Sequence, residues 1–196
     1  LDLSSKNSYM FKSWETENSP ILPIIQIDKI KNNSYKLWIH TNTIAERLDL
    51  SNKKSLQMFF DRYESFPLLE KWQNYLSDEI CNAAKFNINE INDAISLCIE
   101  MNSENEIINW SFHLTKVKCS LLVENQHIDA LLTRKSKARI TSRILKPIKD
   151  HIEDLDKIIE ISNEFRKKQL FDGKIELPKS NNNIESLKEI LVHNPA

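Results

Sequence analysis

The 196-residue chain contains a single glycine, Gly173, and this scarcity constrains its fold more than any other feature of the sequence. Glycine normally makes up about 7% of a protein and occupies many of the backbone positions with positive φ. The sequence therefore predicts an architecture in which few turns need such positions. It also excludes the glycine-rich phosphate loop, the dinucleotide-binding fingerprint and the nucleophile elbow, each of which needs more than one glycine.

The composition is that of a globular protein, with 40% hydrophobic and 28% charged residues. No apolar run approaches the ~18–20 residues that span a bilayer, so we expect no membrane partner. Cys81, Cys98 and Cys119 are an odd and widely spaced set, which favours reduced thiols over a disulfide framework. We therefore expect an intracellular protein, cytoplasmic or, in a eukaryote, nuclear.

The net charge of −1 conceals an uneven distribution of charged residues. Residues 1–60 hold 8 basic and 6 acidic side chains, residues 61–133 hold 5 and 12, and residues 134–196 hold 14 and 10. A basic end on a nearly neutral chain indicates a polyanionic partner. The acidic middle instead suits a protein partner or a second copy of the chain.

The first half of the sequence predicts a polar arm, a hairpin and then helices. Residues 1–20 are polar, and residues 24–40 alternate apolar and polar side chains around Asn32 and Asn33, which predicts a β-hairpin. Residues 21–104 form one predicted unit, in which Thr43–Ser51 looks like the start of a helix-turn-helix. Apolar residues at helical spacing predict helices over residues 41–48, 55–63, 67–76 and 88–100.

Residues 105–180 follow the element order of a winged helix-turn-helix. Gly173 would close the wing, and residues 181–196 would form a terminal helix or tail. The predicted elements are helices at 110–123, 128–132 and 141–155, strands at 157–161 and 174–178, and a wing at 163–173.

Basic residues concentrate on this predicted unit, with no acid between Asp129 and Asp150. Such a run on a recognition helix and a second cluster on a wing are typical of duplex DNA binding. The candidate DNA-contacting residues are Lys135, Lys137, Arg139, Thr141, Ser142, Arg143 and Lys146 near the helix, and Arg166, Lys167 and Lys168 on the wing.

The segment from Arg143 to Ile152 contains Leu145-Lys146-Pro147 within a basic stretch. It resembles the second winged helix of plasmid replication initiators of the two-winged-helix type, and the resemblance covers about a third of the chain. The resemblance implies two related winged helices that bind repeated sites at a replication origin. It also implies that Arg139 to Lys146 face DNA and that Arg166 to Lys168 lie on the wing.

Several features have a simpler interpretation. The basic run could be a solvated face, and residues 147–171 could form one long helix, because Ile148, Ile152 and Leu155 keep helical spacing. The histidines and cysteines show no metal-ligand spacing. Asp172, Glu176 and Lys179 only weakly indicate a nuclease site. The aromatic residues Phe59, Phe60, Tyr63, Phe66, Trp72 and Tyr75 are better explained as core than as a base-stacking series.

Together these patterns predict a mainly α protein with small β-hairpins, a winged helix-turn-helix that forms one or two units. Its predicted function is sequence-specific binding of double-stranded DNA, without enzymatic activity, cofactor or metal. The alternative is a helical protein–protein interaction adaptor that uses its acidic central surface, either with another protein or as a homodimer.

Overall fold

The computed structural model describes residues 1–12, 22–30, 33–47, 66–68, 71–73, 84–134 and 142–171. The helices in this part are α1 (Ile44–Arg47), α2 (Asn125–Thr133), a 3₁₀ helix (Lys146–His151) and α3 (Ile152–Phe171). The strands are β1 (Tyr9–Lys12), β2 (Ile24–Lys29), β3 (Tyr35–Asn42), β4 (Phe66–Leu68), β5 (Lys71–Gln73), β6 (Ile91–Met101), β7 (Ile107–Lys118) and β8 (Leu121–Glu124).

The chain divides into two units, Leu1–Ile158 and Ile159–Ala196. In the first unit, six strands form a mixed sheet in the order β7-β6-β3-β2-β1-β8, and β4 pairs separately with β5. Neighbours in the large sheet are antiparallel except β1 and β8, which are parallel. In the second unit, the described residues are those of α3 from 159 to 171.

The two longest strands, β6 and β7, form a hairpin whose side chains alternate between two faces. On β6, Asn92, Ala94, Ser96 and Cys98 are buried. The side chains between them share the opposite face with alternate residues of β7, because paired residues in a sheet point the same way. We call this the open face; it comprises Ile91, Asp93, Ile95, Leu97 and Ile99 on β6 and Trp110, Phe112, Leu114, Lys116 and Lys118 on β7.

The opposite side of the sheet carries the main hydrophobic core. Trp38 on β3, Cys98 on β6 and Val117 on β7 pack there with Leu3 and Phe86 from outside the strands. Cys98 and Cys119 are buried free thiols, whereas Cys81 lies outside the described residues. Strand residues therefore bury most of one face and leave part of the other exposed, as antiparallel sheets commonly do.

Asparagine takes the place of glycine in the turns of this sheet. Asn33, Asn89 and Asn105 have φ of 55°, 71° and 59°. Asparagine tolerates this left-handed region better than other non-glycine residues, because its short polar side chain forms local hydrogen bonds. In the β6–β7 turn, Asn102 Oδ1 accepts hydrogen bonds from the backbone N–H groups of Glu104 at 3.0 Å and Glu106 at 2.9 Å. A chain almost without glycine can thus form a turn-rich β-sheet.

The predicted mainly α winged helix is wrong, because the dominant element is the six-stranded sheet. Residues 88–100 and 110–123 were predicted as helices, but most of them lie in β6, β7 and β8. The helix predicted over residues 67–76 is also wrong where the structure describes it, since β4 and β5 lie there. Residues four apart share a face in both a helix and a strand, so Ile91, Ile95 and Ile99 fit either period.

The predicted wing is wrong as well. Residues 157–161 belong to α3 rather than to a strand, and the alternative of one long helix over residues 147–171 is correct from Ile152 to Phe171, after a 3₁₀ helix over Lys146–His151. Leu155 and Ile158 are buried at helical spacing, which outweighs the weak strand preference of β-branched residues. The second predicted strand, residues 174–178, lies outside the described residues.

Two local predictions are confirmed. The hairpin over residues 24–40 is β2 paired antiparallel with β3, and the helix over residues 128–132 lies within α2.

The predicted domain boundary at residue 104 falls in the turn between β6 and β7. No helix in the described ranges is long and apolar enough to cross a membrane.

Candidate functional site

The structure describes only some of the candidate nucleic-acid-contacting residues. Lys135, Lys137, Arg139 and Thr141 lie outside the described residues. Ser142, Arg143 and Lys146 are exposed at the turn that leads into the 3₁₀ helix. Arg166, Lys167 and Lys168 are exposed on α3, in the second unit. The structure thus groups three of the ten residues in one turn.

We call residues 142–149 the basic turn. Its conformation is set locally: the carbonyl oxygen of Ser142 accepts hydrogen bonds from the N–H groups of Leu145 at 3.1 Å and Lys146 at 3.2 Å. Leu145 and Ile148 are buried and anchor the turn, whereas Arg143, Lys146 and Lys149 are exposed. None of these three cations forms an ion pair with a described residue. The basic turn therefore presents three positive charges, unpaired within the described part of the chain, on a fixed backbone.

The residues that follow the basic turn pack against β1. Tyr9 Oη donates a hydrogen bond to Asp154 Oδ2 at 2.6 Å and lies 3.2 Å from His151 Nδ1. The Tyr9 and His151 rings meet edge to face at 5.6 Å. Burial is the main cause that raises the pKa of Tyr9 far above its usual value, and the hydrogen bond to Asp154 raises it further. Tyr9 therefore stays a neutral donor.

The first turns of α3 also reach β2 and β3. The Lys157 ammonium lies 4.6 Å from the centre of the Tyr35 ring, and Glu153 Oε1 lies 4.0 Å from Lys29 Nζ. Tyr9, Tyr35 and Lys29 belong to the same side of the sheet as the open face, as the strand register requires. The start of α3 therefore lies over β1, β2 and β3 on that side.

Exposure along this side of the sheet increases with distance from the start of α3. One row of paired residues runs from Tyr9 on β1 through Ile25, Ile39 and Leu97 to Phe112 on β7. Tyr9 is fully buried and Phe112 is 65% exposed. Four strand spacings separate the ends of the row, or about 19 Å. The start of α3 thus borders an apolar surface that becomes solvent-exposed at β7.

The exposed end of this surface is aromatic. Trp110 is 60% exposed and Phe112 is 65% exposed, and their ring centres lie 5.8 Å apart. Lys116 and Lys118 continue the same face of β7, and neither forms an ion pair with a described residue. Asp93 lies opposite Lys116 and is the one acidic residue on the open face as defined above.

A row of hydrogen-bonded polar side chains crosses β3, β6 and β7 on the core side of the sheet. His40 Nδ1 is 2.6 Å from Ser96 Oγ, which is 2.5 Å from Thr115 Oγ1. Trp38 lies between two imidazoles, stacked on His40 and tilted against His113. Burial lowers the pKa of His40 to about 4, so the ring is neutral near pH 7. These contacts hold three strands together.

Metal ligands do not cluster in the described part of the chain, where no group of three His, Cys, Asp or Glu side chains could hold an ion. Trp110 and Phe112 are absent from the surface residues predicted from the sequence, because the helical spacing of the apolar residues predicts a helix over residues 110–123. The signal was nonetheless present: polar Asn109, Ser111 and His113 alternate with Trp110, Phe112 and Leu114, as in a half-buried strand.

Comparison with known proteins identifies the family of this sheet. The family model of the RNB domain matches residues 1–194. No curated protein sequence matches the chain. Among solved structures, the chain is similar to Mycoplasma genitalium RNase R in complex with ribose-methylated single-stranded RNA, with a TM-score of 0.68 at 12% identity. That alignment covers 91% of this chain and 26% of RNase R.

Two further structures have the same fold. The yeast pseudonuclease Ssd1 aligns with a TM-score of 0.63 at 12% identity, covering 91% of this chain and 20% of Ssd1. The Candida glabrata exoribonuclease Dss1, an active-site mutant, aligns with a TM-score of 0.63 at 15% identity, covering 87% of this chain and 23% of Dss1. The chain therefore spans a fifth to about a quarter of these proteins.

These matches correct the function predicted from the sequence. The resemblance to plasmid replication initiators is wrong, and with it the predictions of sequence-specific DNA binding and a double-stranded DNA partner. The adaptor alternative is not supported. The prediction of a non-enzymatic protein is wrong too, because the matched domain is that of the ribonuclease II/R exoribonucleases. A run of basic residues indicates a polyanionic binding partner but does not show whether that partner is DNA or RNA. The chain belongs to the RNB domain family.

Proposed function

We propose that this chain binds RNA and forms part of an exoribonuclease-type protein. The observation that carries the proposal is the basic turn, with three exposed cations that form no ion pair with a described residue, on a chain that matches the RNB domain over residues 1–194. The RNase R structures, solved with single-stranded and with double-stranded RNA, support RNA as the polyanion. The exonuclease activity rests on the family and is proposed for the longer protein.

In this proposal, Arg143, Lys146 and Lys149 bind phosphate groups. Leu145 and Ile148 fix the turn, so little conformational entropy is lost when the cations meet the RNA backbone. Phosphate contacts are insensitive to sequence and weaken with salt, because each neutralised phosphate releases condensed counterions. The other residues first predicted to contact DNA have the same proposed role toward RNA: Lys135, Lys137, Arg139, Thr141, Ser142, Arg166, Lys167 and Lys168.

Fluorescence anisotropy with a labelled 12-nucleotide single-stranded RNA, at several salt concentrations, tests this proposal. Replacing Arg143, Lys146 and Lys149 together with Gln should weaken binding. It should also reduce the slope of log K against log salt by about 2, at roughly 0.7 per phosphate contact. The control is Lys12→Gln, which removes an exposed charge at the end of β1. Unchanged affinity and slope in the triple variant would contradict the role of the basic turn.

A further inference from the structure

β7 forms one edge of the six-stranded sheet, and the middle of its outer side has no partner strand in the described part of the chain. The far end of this edge is covered: the Lys116 N–H donates to the Leu1 carbonyl at 2.9 Å, and the Leu3 N–H donates to the Lys116 carbonyl at 2.8 Å. Outward and inward positions alternate along a strand, so the N–H and C=O groups of Trp110 and Phe112 point to this outer side as well. No described backbone group bonds to them there. Such an edge is a template on which another strand can pair.

The sequence of this edge lacks the features that normally prevent edge-to-edge pairing. Residues 107–115 contain no Asp, Glu, Lys or Arg and no proline or glycine. Natural edge strands are usually short, charged, or interrupted by proline or a bulge. β8, at the other edge of the sheet, is four residues long, whereas β7 has twelve. A bulge interrupts the β6–β7 ladder only near Ile107, at the start of β7. The uncovered part of β7 is therefore a long, uncharged edge.

We propose that β7 of one copy pairs antiparallel with β7 of a second copy, centred near Trp110, so that two six-stranded sheets join into one. Such a pairing is isologous, so it uses both edges and ends at a dimer. Because the two sheets share their sides, apolar side chains meet apolar ones and polar side chains meet polar ones. Trp110 and Phe112 contact their counterparts on one side, and Asn109 and Ser111 contact theirs on the other. This neutral strand edge is not the acidic helical surface of the adaptor alternative.

The charges at the two ends of β7 favour a second copy over an unrelated strand. Glu104 and Glu106 precede the strand and Lys116 and Lys118 end it, and all four are exposed. In an antiparallel pair, the acidic end of each strand lies toward the basic end of the other, and opposite charges across strands stabilise pairing. A parallel pair would bring like charges together. The edge is thus complementary to itself in the antiparallel arrangement.

The apolar area that β7 exposes is close to what a stable dimer needs. Five large apolar side chains of this strand are exposed: Ile107 (50%), Ile108 (65%), Trp110 (60%), Phe112 (65%) and Leu114 (69%). At about 200 Å² for each large side chain, these fractions correspond to roughly 600 Å². That area is at the upper end of the patches that monomeric proteins expose. Together with the backbone edge, it approaches the ~800 Å² that each partner contributes to a standard interface.

Sedimentation velocity of the chain from about 1 to 100 µM, without nucleic acid, tests the pairing. The wild type should dimerise. Trp110→Lys places like charges together at the centre of the pair and should weaken the dimer by roughly 30-fold or more. Phe112→Pro removes one outward N–H without removing a hydrogen bond to β6, and should weaken the dimer at least about 10-fold. Phe112→Val is the matched control: it keeps the N–H and an apolar side chain, and should dimerise nearly like the wild type.

Ile95→Lys separates edge pairing from contact between two open faces. Ile95 lies on the open face of β6, one strand in from the edge, and is 42% exposed. This variant should dimerise like the wild type, and dissociation as strong as that of Trp110→Lys would refute edge pairing. A wild type that stays monomeric at about 100 µM, or equal dimerisation of Phe112→Pro and Phe112→Val, would also overturn the inference. The basic-turn variant should dimerise normally, so loss of this inference leaves the proposed RNA binding intact.

Discussion

Protonation of His40 should destabilise the fold in a defined pH range. His40 is fully buried between β2 and β6, and its Nδ1 atom is hydrogen-bonded to Ser96 Oγ at 2.6 Å. Burial lowers its pKa from 6.5 to about 4. An imidazolium at this position would lose hydration without gaining an acidic partner among the described residues, because its neighbours in the row are hydroxyl groups and Trp38.

The magnitude follows from the two pKa values. In the unfolded chain His40 takes up a proton near pH 6.5, whereas the folded protein resists protonation until about pH 4. The unfolded state therefore binds more protons between these values, and stability falls as the pH drops. The contribution of neutral His40 to the free energy of unfolding is fully present above pH 6.5 and is lost progressively down to about pH 4. At 1.36 kcal/mol for each pKa unit, the total loss is about 3 kcal/mol.

Urea denaturation at pH 7.5, 5.5 and 4.5 measures this contribution. In His40→Gln, which stays neutral, the loss of stability from pH 7.5 to pH 4.5 should be smaller than in the wild type by about 2–3 kcal/mol. The control is His127→Gln, which leaves His40 and its hydrogen bond to Ser96 intact, so the loss of stability assigned to His40 should remain. Equal pH dependence in wild type and His40→Gln would refute the reasoning, even if the glutamine variant is less stable at every pH.

Substitutions at two further positions test how the sheet and its turns are held. Tyr9→Phe removes the hydrogen bond to Asp154 and should lower the free energy of unfolding by about 1.5–3 kcal/mol in urea denaturation, since bonds to charged groups are the stronger ones; a change below about 0.5 kcal/mol would mean that the bond adds little to stability. Asn89 has φ of 71°, so Asn89→Gly should be nearly neutral while Asn89→Val should cost about 1–2 kcal/mol, and equal stability of the two variants would contradict a left-handed backbone there.

Local chemistry alone determined several elements of this protein. The alternation over residues 24–40 and the asparagines of its turn were sufficient to predict the β2–β3 hairpin, because both strands and the turn lie within 17 neighbouring residues. The helix at residues 128–132 was equally visible from its apolar spacing. The basic turn could be predicted as a cationic segment, because charge is a property of the side chains themselves.

The large sheet depends on partners that are remote in the sequence. Leu37 pairs with Ile99 and Tyr9 pairs with Leu121, and no local pattern indicates such pairings. Isoleucines at residues 91, 95 and 99 are compatible with both a helix and a strand, and only the pairing with β3 and β7 decides between them. The scarcity of glycine also predicted a fold with few turns that need positive φ. That prediction failed because asparagine adopts positive φ at residues 33, 89 and 105.

Tertiary structure also decided which apolar residues are exposed. Trp110 and Phe112 are as hydrophobic as the core residues, and from composition they should be buried. The start of α3 covers Tyr9 at the β1 end of the row, and the opposite end of the same row, at β7, remains exposed. The sequence determined that β7 is an amphipathic strand with one apolar face. The start of α3 lies over β1, β2 and β3, and this placement leaves the β7 end of the face in contact with solvent.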